Sequence, residues 1–394
     1  MFQRLVLSLL ILAPSAWAEQ YFEFSGKAGF ESRFFFDDPL STEQYNHYNA
    51  SIYIQPEMYW EWNDGNDNIK FIPYARLDQH EGDRSHFDIR ELEWIHVGEN
   101  WESRIGVRKV YWGVTEFQHL VDVVNQIDGV EDIDGEDKLG QPMINLSLVR
   151  DWGIIDFLVM PYFRERNFTG IDSRLRPSLL INDDRPLYES SDKEKHLDYA
   201  IRWAHSIGDF DIGVHAFDGT DRDPQFIYDP IEGKLLPYYQ QLTQVGVDIQ
   251  ATLGDWLWKL EAVHKNTTIQ DYTAVQFGFE YTRVGVMESV SDLGMLLEYG
   301  WDERGKNSRA FGQNDIFIGV RLAFNDVNST AILAGGGYDL DFHSSLIQFE
   351  ASRRINDNWT TSLDVRLFLN SDQRDVLYDF REDNHLQLTF ERYF

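Results

Sequence analysis

Trp101-Glu-Ser-Arg-Ile-Gly-Val-Arg-Lys-Val-Tyr-Trp-Gly113 reads as a strand whose side chains alternate between two faces. The alternation then stops. Residues 114–143 form a segment of about thirty residues with no strand pattern, a length that is functional or disordered when it occurs inside a compact domain. Within it runs Asp128-Gly-Val-Glu-Asp-Ile-Asp-Gly-Glu-Asp137, in which Asp128, Glu131, Asp132, Asp134, Glu136 and Asp137 are acidic and no residue is basic. Alternation resumes at Ile144. The break falls between the fifth and sixth of about eighteen strands.

The same two-face pattern recurs on both sides of this break. Tyr48, Ala50, Ile52, Ile54, Pro56, Met58, Trp60 and Trp62 form an apolar set, interleaved with Asn49, Ser51, Tyr53, Gln55, Glu57, Tyr59 and Glu61. Such a run is longer than an ordinary strand of five or six residues. Strands are expected near 21–36, 46–62, 69–79, 85–98, 101–113, 144–150, 153–164, 196–206, 210–218, 238–253, 256–266, 272–283, 292–301, 315–324, 329–339, 344–356, 359–369 and 385–394. In the fourth, the apolar parity changes between Ile89 and Leu92, the mark of a bulge.

Composition narrows the class. The formal charge of −31 excludes nucleic-acid binding, which selects basic faces. Aromatic residues make up 15% of the chain, too many for a solvated acidic tail. Cysteine is absent, so disulfides and thiolate metal sites are excluded. Arg4, the apolar run Leu5–Leu12 and Ala16-Trp17-Ala18 have the form of an export signal over 1–18, with the exported domain over 19–394.

Connections alternate between short turns, such as Glu99-Asn100, Asp151-Trp152 and Gly254-Asp255, and long acidic loops near 114–143, 165–195, 219–237, 302–314 and 370–384. Short turns on one rim and long loops on the other describe an all-β transmembrane antiparallel up-and-down barrel of the bacterial outer membrane. About eighteen strands are expected, sixteen being the nearest alternative. A soluble sandwich also alternates, but its strands are shorter and this number would require several domains. A propeller would repeat at a fixed period, and the sequence has none. Trp60, Trp62, Trp203, Trp256, Trp258, Tyr281, Tyr299, Trp301 and Trp359 stand at apolar-face strand ends, where amphipathic rings meet the membrane–water interface.

The last strand, His385-Leu-Gln-Leu-Thr-Phe-Glu-Arg-Tyr-Phe394, resembles the terminal strand that the outer-membrane barrel-assembly machinery recognises, with Phe390 and Phe394 as the implied signal. It departs at Arg392, where that signature has an aromatic residue. Ile105-Gly-Val-Arg-Lys-Val-Tyr-Trp-Gly113, Asp122-Val-Val-Asn-Gln-Ile-Asp128 and Gly140-Gln-Pro142 resemble a proteobacterial outer-membrane barrel family known only as a domain of unknown function. That family carries a Gly-Arg-Gln-x-x-x-Trp-Gly strand and an Asn-Pro-x-Asp-like turn, from which Val107-Arg108-Lys109 and Asn125-Gln126-Ile127-Asp128 depart. The chain is also loosely similar to alginate-export-type and other substrate-selective porins. The resemblance implies a barrel and names no substrate. In general porins the loop after the fifth strand folds inward and narrows the pore, which implies the same for 114–143. General porins trimerise and many selective ones are monomers, so the oligomeric state stays open.

The expected function is therefore a channel for passive or substrate-selective diffusion of small hydrophilic solutes or ions. The expected constriction is the six-acid run, facing wall bases Lys70, Arg76, Arg104, Arg108 and Arg202 on the polar strand faces. Facing charges in a water-filled lumen set ion preference. The same run reads equally as a solvated loop tip, or as part of a calcium loop. The full calcium-loop signature is not met, because Val130 and Gln141 occupy the first and twelfth ligand positions. No metal, cofactor or enzymatic activity is expected. Asp211 and His215 share the polar face, but the outward face carries no Ser–His pair of the kind an outer-membrane lipase uses. The alternative is a closed, non-conducting barrel that serves as a binding or structural anchor. Expected partners are outer-membrane lipid, lipopolysaccharide bridged by divalent cations to outer loops such as Asp183-Asp184, and the assembly machinery.

Overall fold

A computed structural model describes residues 20–394, so the expected export segment at 1–18 lies outside the described residues. In chain order the strands are β1 (Tyr21–Phe35), β2 (Tyr48–Trp62), β3 (Asp67–Asp78), β4 (Phe87–Val97), β5 (Trp101–Arg108), β6 (Gln141–Arg150) and β7 (Gly153–Met160). They continue as β8 (Leu187–Tyr188), β9 (Asp198–Ile207), β10 (Phe210–Thr220), β11 (Gln225–Asp229), β12 (Lys234–Tyr239), β13 (Gln241–Leu253) and β14 (Trp256–Thr267). The remainder are β15 (Asp271–Arg283), β16 (Asp292–Asp302), β17 (Asn314–Ala323), β18 (Ala331–Asp339), β19 (Ser345–Asn356), β20 (Trp359–Leu369) and β21 (His385–Tyr393). Eighteen of them form one sheet, while β8, β11 and β12 form a small separate sheet in the outer loops.

Within the large sheet each strand pairs antiparallel with the next. β21 returns to β1, with Phe390 opposite Phe30 and Lys27 opposite Tyr393, so the ring closes without an edge. The burial pattern is the reverse of a soluble protein's. On β2, Ile52 is 53% exposed and Ile54 45%, whereas Asn49 is 1% exposed and Ser51 3%. Apolar side chains face outward to hydrocarbon and polar ones face the lumen, as an outer-membrane barrel requires. No helix among the described residues is long and apolar enough to cross a membrane.

Both ends of the sheet lie on the short-turn rim, which in barrels of this class is periplasmic. The β2–β3 turn needs left-handed backbone, with φ of 58° at Asn63, 53° at Asp64 and 86° at Gly65. The expected bulge is present: Ile72 pairs with Glu91 and Pro73 with Ile89, which leaves Arg90 as the extra residue of β4.

The boundaries around the long loop differ from the sequence expectation. β5 stops at Arg108, not Gly113, and β6 begins at Gln141. The cause is Asn125. Its Oδ1 accepts from Val110 N at 2.8 Å, and its Nδ2 donates to Arg108 O and Leu139 O, both at 2.9 Å. Backbone that would have continued the ladder is bonded to the loop instead. The expected strand 238–253 is likewise divided near Gln240, whose carbonyl accepts from Asp221 N, and its first part joins the outer-loop sheet.

Two residues of this scaffold have measurable roles. Gly106, opposite Glu93 on β4, has φ of 144°, and a Cβ there would lie 2.0 Å from Leu92 O. Gly106→Ala is expected to lower the stability of the refolded barrel by at least ~2 kcal/mol, read by urea unfolding in micelles. Gly82→Ala, where the space is open, should change it little. Phe394 exchanges two backbone hydrogen bonds with Gly26, at 3.0 and 3.1 Å. Deleting Phe394 is expected to reduce the heat-shifted folded form in cells while export continues.

Candidate functional site

The segment 109–140 leaves the long-loop rim and crosses the interior of the barrel. Three kinds of contact fix it there. The first is apolar. Val110, Trp112, Leu120, Val121, Val123 and Val124 pack on lumen-facing Met143, Leu158, Met160, Ala200, Phe217, Leu242, Val263 and Ala274. The main apolar core therefore lies inside the barrel, on the wall from β6 to β15. The signal in the sequence is Phe157-Leu-Val-Met160, a continuous apolar run at the outer end of β7, which marks a strand buried on both faces.

The second contact is a pair of carboxylates that hold loop backbone. Glu261 on β14 accepts from Val114 N at 2.7 Å, Thr115 N at 3.0 Å, Thr115 Oγ1 at 2.7 Å and Val121 N at 3.2 Å. Glu298 on β16 accepts from Glu116 N at 2.8 Å and Phe117 N at 3.3 Å. Bonds to an ionised acceptor are roughly twice as strong as neutral ones. Glu116 then reaches Lys259 at 3.5 Å and also pairs with Arg321, while Phe117 stacks on Phe317 with centroids 5.0 Å apart.

The third contact is the acidic run. Its ends are joined by Asp128 N donating to Asp137 O at 2.7 Å, so 128–137 is a compact closed loop. Asp128, fully buried, meets Arg90 at 2.6 Å and Asn167 Nδ2 at 2.6 Å. Glu131 accepts from Tyr74 Oη at 2.9 Å and pairs with Arg76 at 2.7 Å. Its carbonyl accepts from Arg33 at 3.1 Å and Arg84 at 3.2 Å. Asp132 and Asp134 share Arg366, the latter at 2.8 Å. Glu136 pairs with His119 at 3.0 Å. Asp134, Glu136 and Asp137 keep an exposed edge, although surrounding protein crowds the Asp134 and Asp137 carboxyls and strips much of their water.

Of the expected wall bases, Arg76 alone touches the acidic run. Arg104 bonds Glu102 and reaches Glu93 at 3.3 Å, and Arg108 lies 3.6 Å from Glu93. These two line a separate cavity of about 300 Å³ with Asn145 and Asp156. Lys70 pairs with Glu91 at 3.1 Å. Arg202 pairs with Asp248 at 2.6 Å and meets the loop through the Trp112 ring, 5.3 Å away. The guanidiniums that instead converge on the run are Arg33, Arg84, Arg90 and Arg366. Arg33 and Arg366 were legible from strand parity. Arg84 precedes β4 and Arg90 sits on the bulge, where parity fails.

The environment sets the charge of these groups. Burial would raise the Asp128 carboxyl, but the His86 ring and the Arg90 guanidinium hold it well below the usual range. Burial opposes Asp132 in the same way, and Arg366 and Arg33 outweigh it, leaving it at about 2. Burial and the Asp132 carboxylate push Asp134 up to about 7. Burial and the Glu131 carboxylate push Asp137 up to about 6. Both nitrogens of His86 face acceptors, Arg84 O at 2.9 Å on one side and Asp128 and Glu131 at 3.4 and 3.5 Å on the other. Burial works against its charge, but these carboxylates prevail and raise its pKa.

His86, Asp128 and Glu131 bring ligand atoms within 4.8 Å of one another, yet Arg90 and Arg76 already neutralise the two carboxylates. Asp132 and Asp134 of the partial calcium pattern are taken up by Arg366 in the same way. His215 and Asp211 do not meet. His215 lies under Trp112 and bonds Gln244 at 3.0 Å, and Asp211 bonds Ser206.

No protein-family model and no curated protein matches the chain. Solved structures do. A BenF-like porin from Pseudomonas fluorescens superposes with a TM-score of 0.56 at 9% identity, over 95% of this chain and 98% of that one. A loop-deletion mutant of OmpT, an outer membrane protein of Vibrio cholerae, gives a TM-score of 0.49 at 10% identity over 95% of this chain and 99% of the other. A mutant of the Rh. blastica porin gives 0.46 at 10% identity over 95% and 100%.

The buried pairs make the loop's position testable. Removing one partner of a buried pair leaves an uncompensated charge and costs roughly 3–5 kcal/mol. Glu131→Ala is therefore expected to free 128–137, seen as faster backbone hydrogen exchange there. Asp137→Ala, which breaks no ion pair among the described residues, should leave exchange unchanged. The likeness to solved structures is one of fold, and the fold of this chain is that of an outer-membrane, porin-like β-barrel.

Proposed function

We propose that this barrel is a channel for passive diffusion of small hydrophilic solutes or ions, narrowed by the loop 109–140. The observation that supports this reading is the loop's anchorage. Apolar packing, backbone bonds to Glu261 and Glu298, ion pairs to Arg33, Arg76, Arg90 and Arg366, and hydrogen bonds from Arg84 to the Val130 and Glu131 carbonyls tie it to widely separated wall strands, so it divides the lumen rather than capping it. The exposed carboxylates of Asp134, Glu136 and Asp137 then border the remaining passage. Coulomb interactions beside a protein wall exceed those in bulk water, so these groups favour cations. Passage needs no cofactor and no chemistry. The second reading, a closed barrel acting as an anchor, is favoured by one observation: most of the acidic run is already paired with wall guanidiniums.

Planar-bilayer recording separates the two. The channel reading expects discrete conductance from the wild type, larger conductance when 128–137 is deleted, and a reversal potential shifted towards anions in Asp134→Asn, Glu136→Gln, Asp137→Asn. The anchor reading expects no steps in the wild type. Acidification supplies an independent check. Carboxyls with raised pKa values carry charge only above those values, so Asp134 and Asp137 are anionic at pH 8 and neutral by pH 5. Cation preference should weaken over that interval. In the triple variant the shift should be absent.

A further inference from the structure

Arg392 is the residue at which the terminal strand departs from the aromatic signature, and the lumen function leaves it unused. It lies on the outward face of β21 at the short-turn rim and is exposed. Among the described residues its side chain makes no ion pair and no hydrogen bond, whereas Arg353, outward on β19, has Asp326 at 3.6 Å. The adjacent Glu391 cannot serve it, because that carboxylate faces the lumen and is held by Lys27 at 2.7 Å and Tyr53 at 2.6 Å. A guanidinium on an apolar exterior can take its counter-ion from the membrane where an acyl-chain groove lies beside it.

Register places Arg392 at the foot of a groove. Trp359, Arg392, Ala28, Ile54 and Ala75 are direct partners across five adjacent strands, in that order. The parallel row is Phe390, Phe30, Ile52 and Leu77. Ala28 and Ala75, the two small members of the first row, lie among bulkier neighbours in both rows and leave an apolar concavity of about 440 Å³ on the lipid-facing wall. The three strand intervals from Arg392 to Ala75 span about 14 Å. One leaflet supplies about half of a ~30 Å hydrocarbon core, so the length suits one acyl chain running obliquely. The row climbs as it goes, because Arg392 is next to the rim while Ala75 is well up β3.

We propose that Arg392 and this groove bind one anionic glycerophospholipid of the inner leaflet, its phosphodiester on the guanidinium and one acyl chain along the groove. Arginine suits this role because its planar fork matches two phosphate oxygens. The Trp359 ring marks the headgroup level beside it. This site is independent of whether the lumen conducts.

Native mass spectrometry of the refolded barrel in detergent, with phosphatidylglycerol, phosphatidylethanolamine and lipid A as separate probes, tests the proposal. The wild type is expected to retain one phosphatidylglycerol at least fivefold better than phosphatidylethanolamine or lipid A. Arg392→Gln should abolish that preference. Ala28→Phe, which fills the groove and keeps the charge, should lower phosphatidylglycerol retention at least fivefold. Arg283→Gln removes another exposed rim arginine that has no ion pair among the described residues and should change nothing. Wild-type retention in Ala28→Phe, equal loss in Arg283→Gln, or a preference for lipid A would each overturn the proposal. Should Arg392→Gln fail to refold, Ala28→Phe against Arg283→Gln decides it.

Discussion

Hydrocarbon offers no hydrogen-bond partners, and the rest of this structure depends on that constraint. Every backbone N–H and C=O within the membrane must be satisfied by the chain itself, so a sheet can stay there only if it closes. Pairing of β21 with β1 supplies the closure, and the alternation of side chains then sorts the chain into an apolar exterior and a polar interior. The high aromatic content and the high charge are compatible because the sheet keeps them on opposite faces.

Sorting by parity creates a second problem inside. Charged side chains crowd the lumen wall, and many are buried. Glu31 has Arg84 at 2.7 Å, Arg76 at 3.1 Å and Arg33 at 3.2 Å, which leaves an excess of positive charge around one carboxylate. The acidic run offsets it, bringing Glu131, Asp132 and two backbone carbonyls to the same guanidiniums. On the far wall the sign is reversed, and Glu261 and Glu298 receive loop N–H groups. The loop thus complements both walls, and a displaced loop would strand charges on each. Its middle is held by the apolar wall from β6 to β15, a surface a uniformly polar lumen would not provide.

The barrel was legible in the sequence because alternation is a local property that each strand repeats. The positions of all eighteen barrel strands and the bulge near Arg90 follow from it. The strand ends at Arg108 and Gln141 did not, since they depend on Asn125 folding back from the loop, a contact with no local pattern. The acidic run stood out by composition, but its partners did not. Arg33 and Arg366 have the right parity, yet choosing them over Arg104 and Arg108 requires the path of the loop across the lumen, which no strand pattern encodes. Arg84 and Arg90 lie where parity is undefined. The lumen-facing apolar patch was visible only as the doubly apolar end of β7, a sign that a second surface packs there.

The central claim is that the segment bearing the acidic run borders the conducting path. The chain has no cysteine, so a single thiol reports one position without background. Asp137→Cys can be treated with a cationic methanethiosulfonate reagent during single-channel recording, and labelling confirmed afterwards by mass. The account predicts a stepwise fall in cation current as the thiol is modified. Complete labelling with unchanged conductance and selectivity would contradict it.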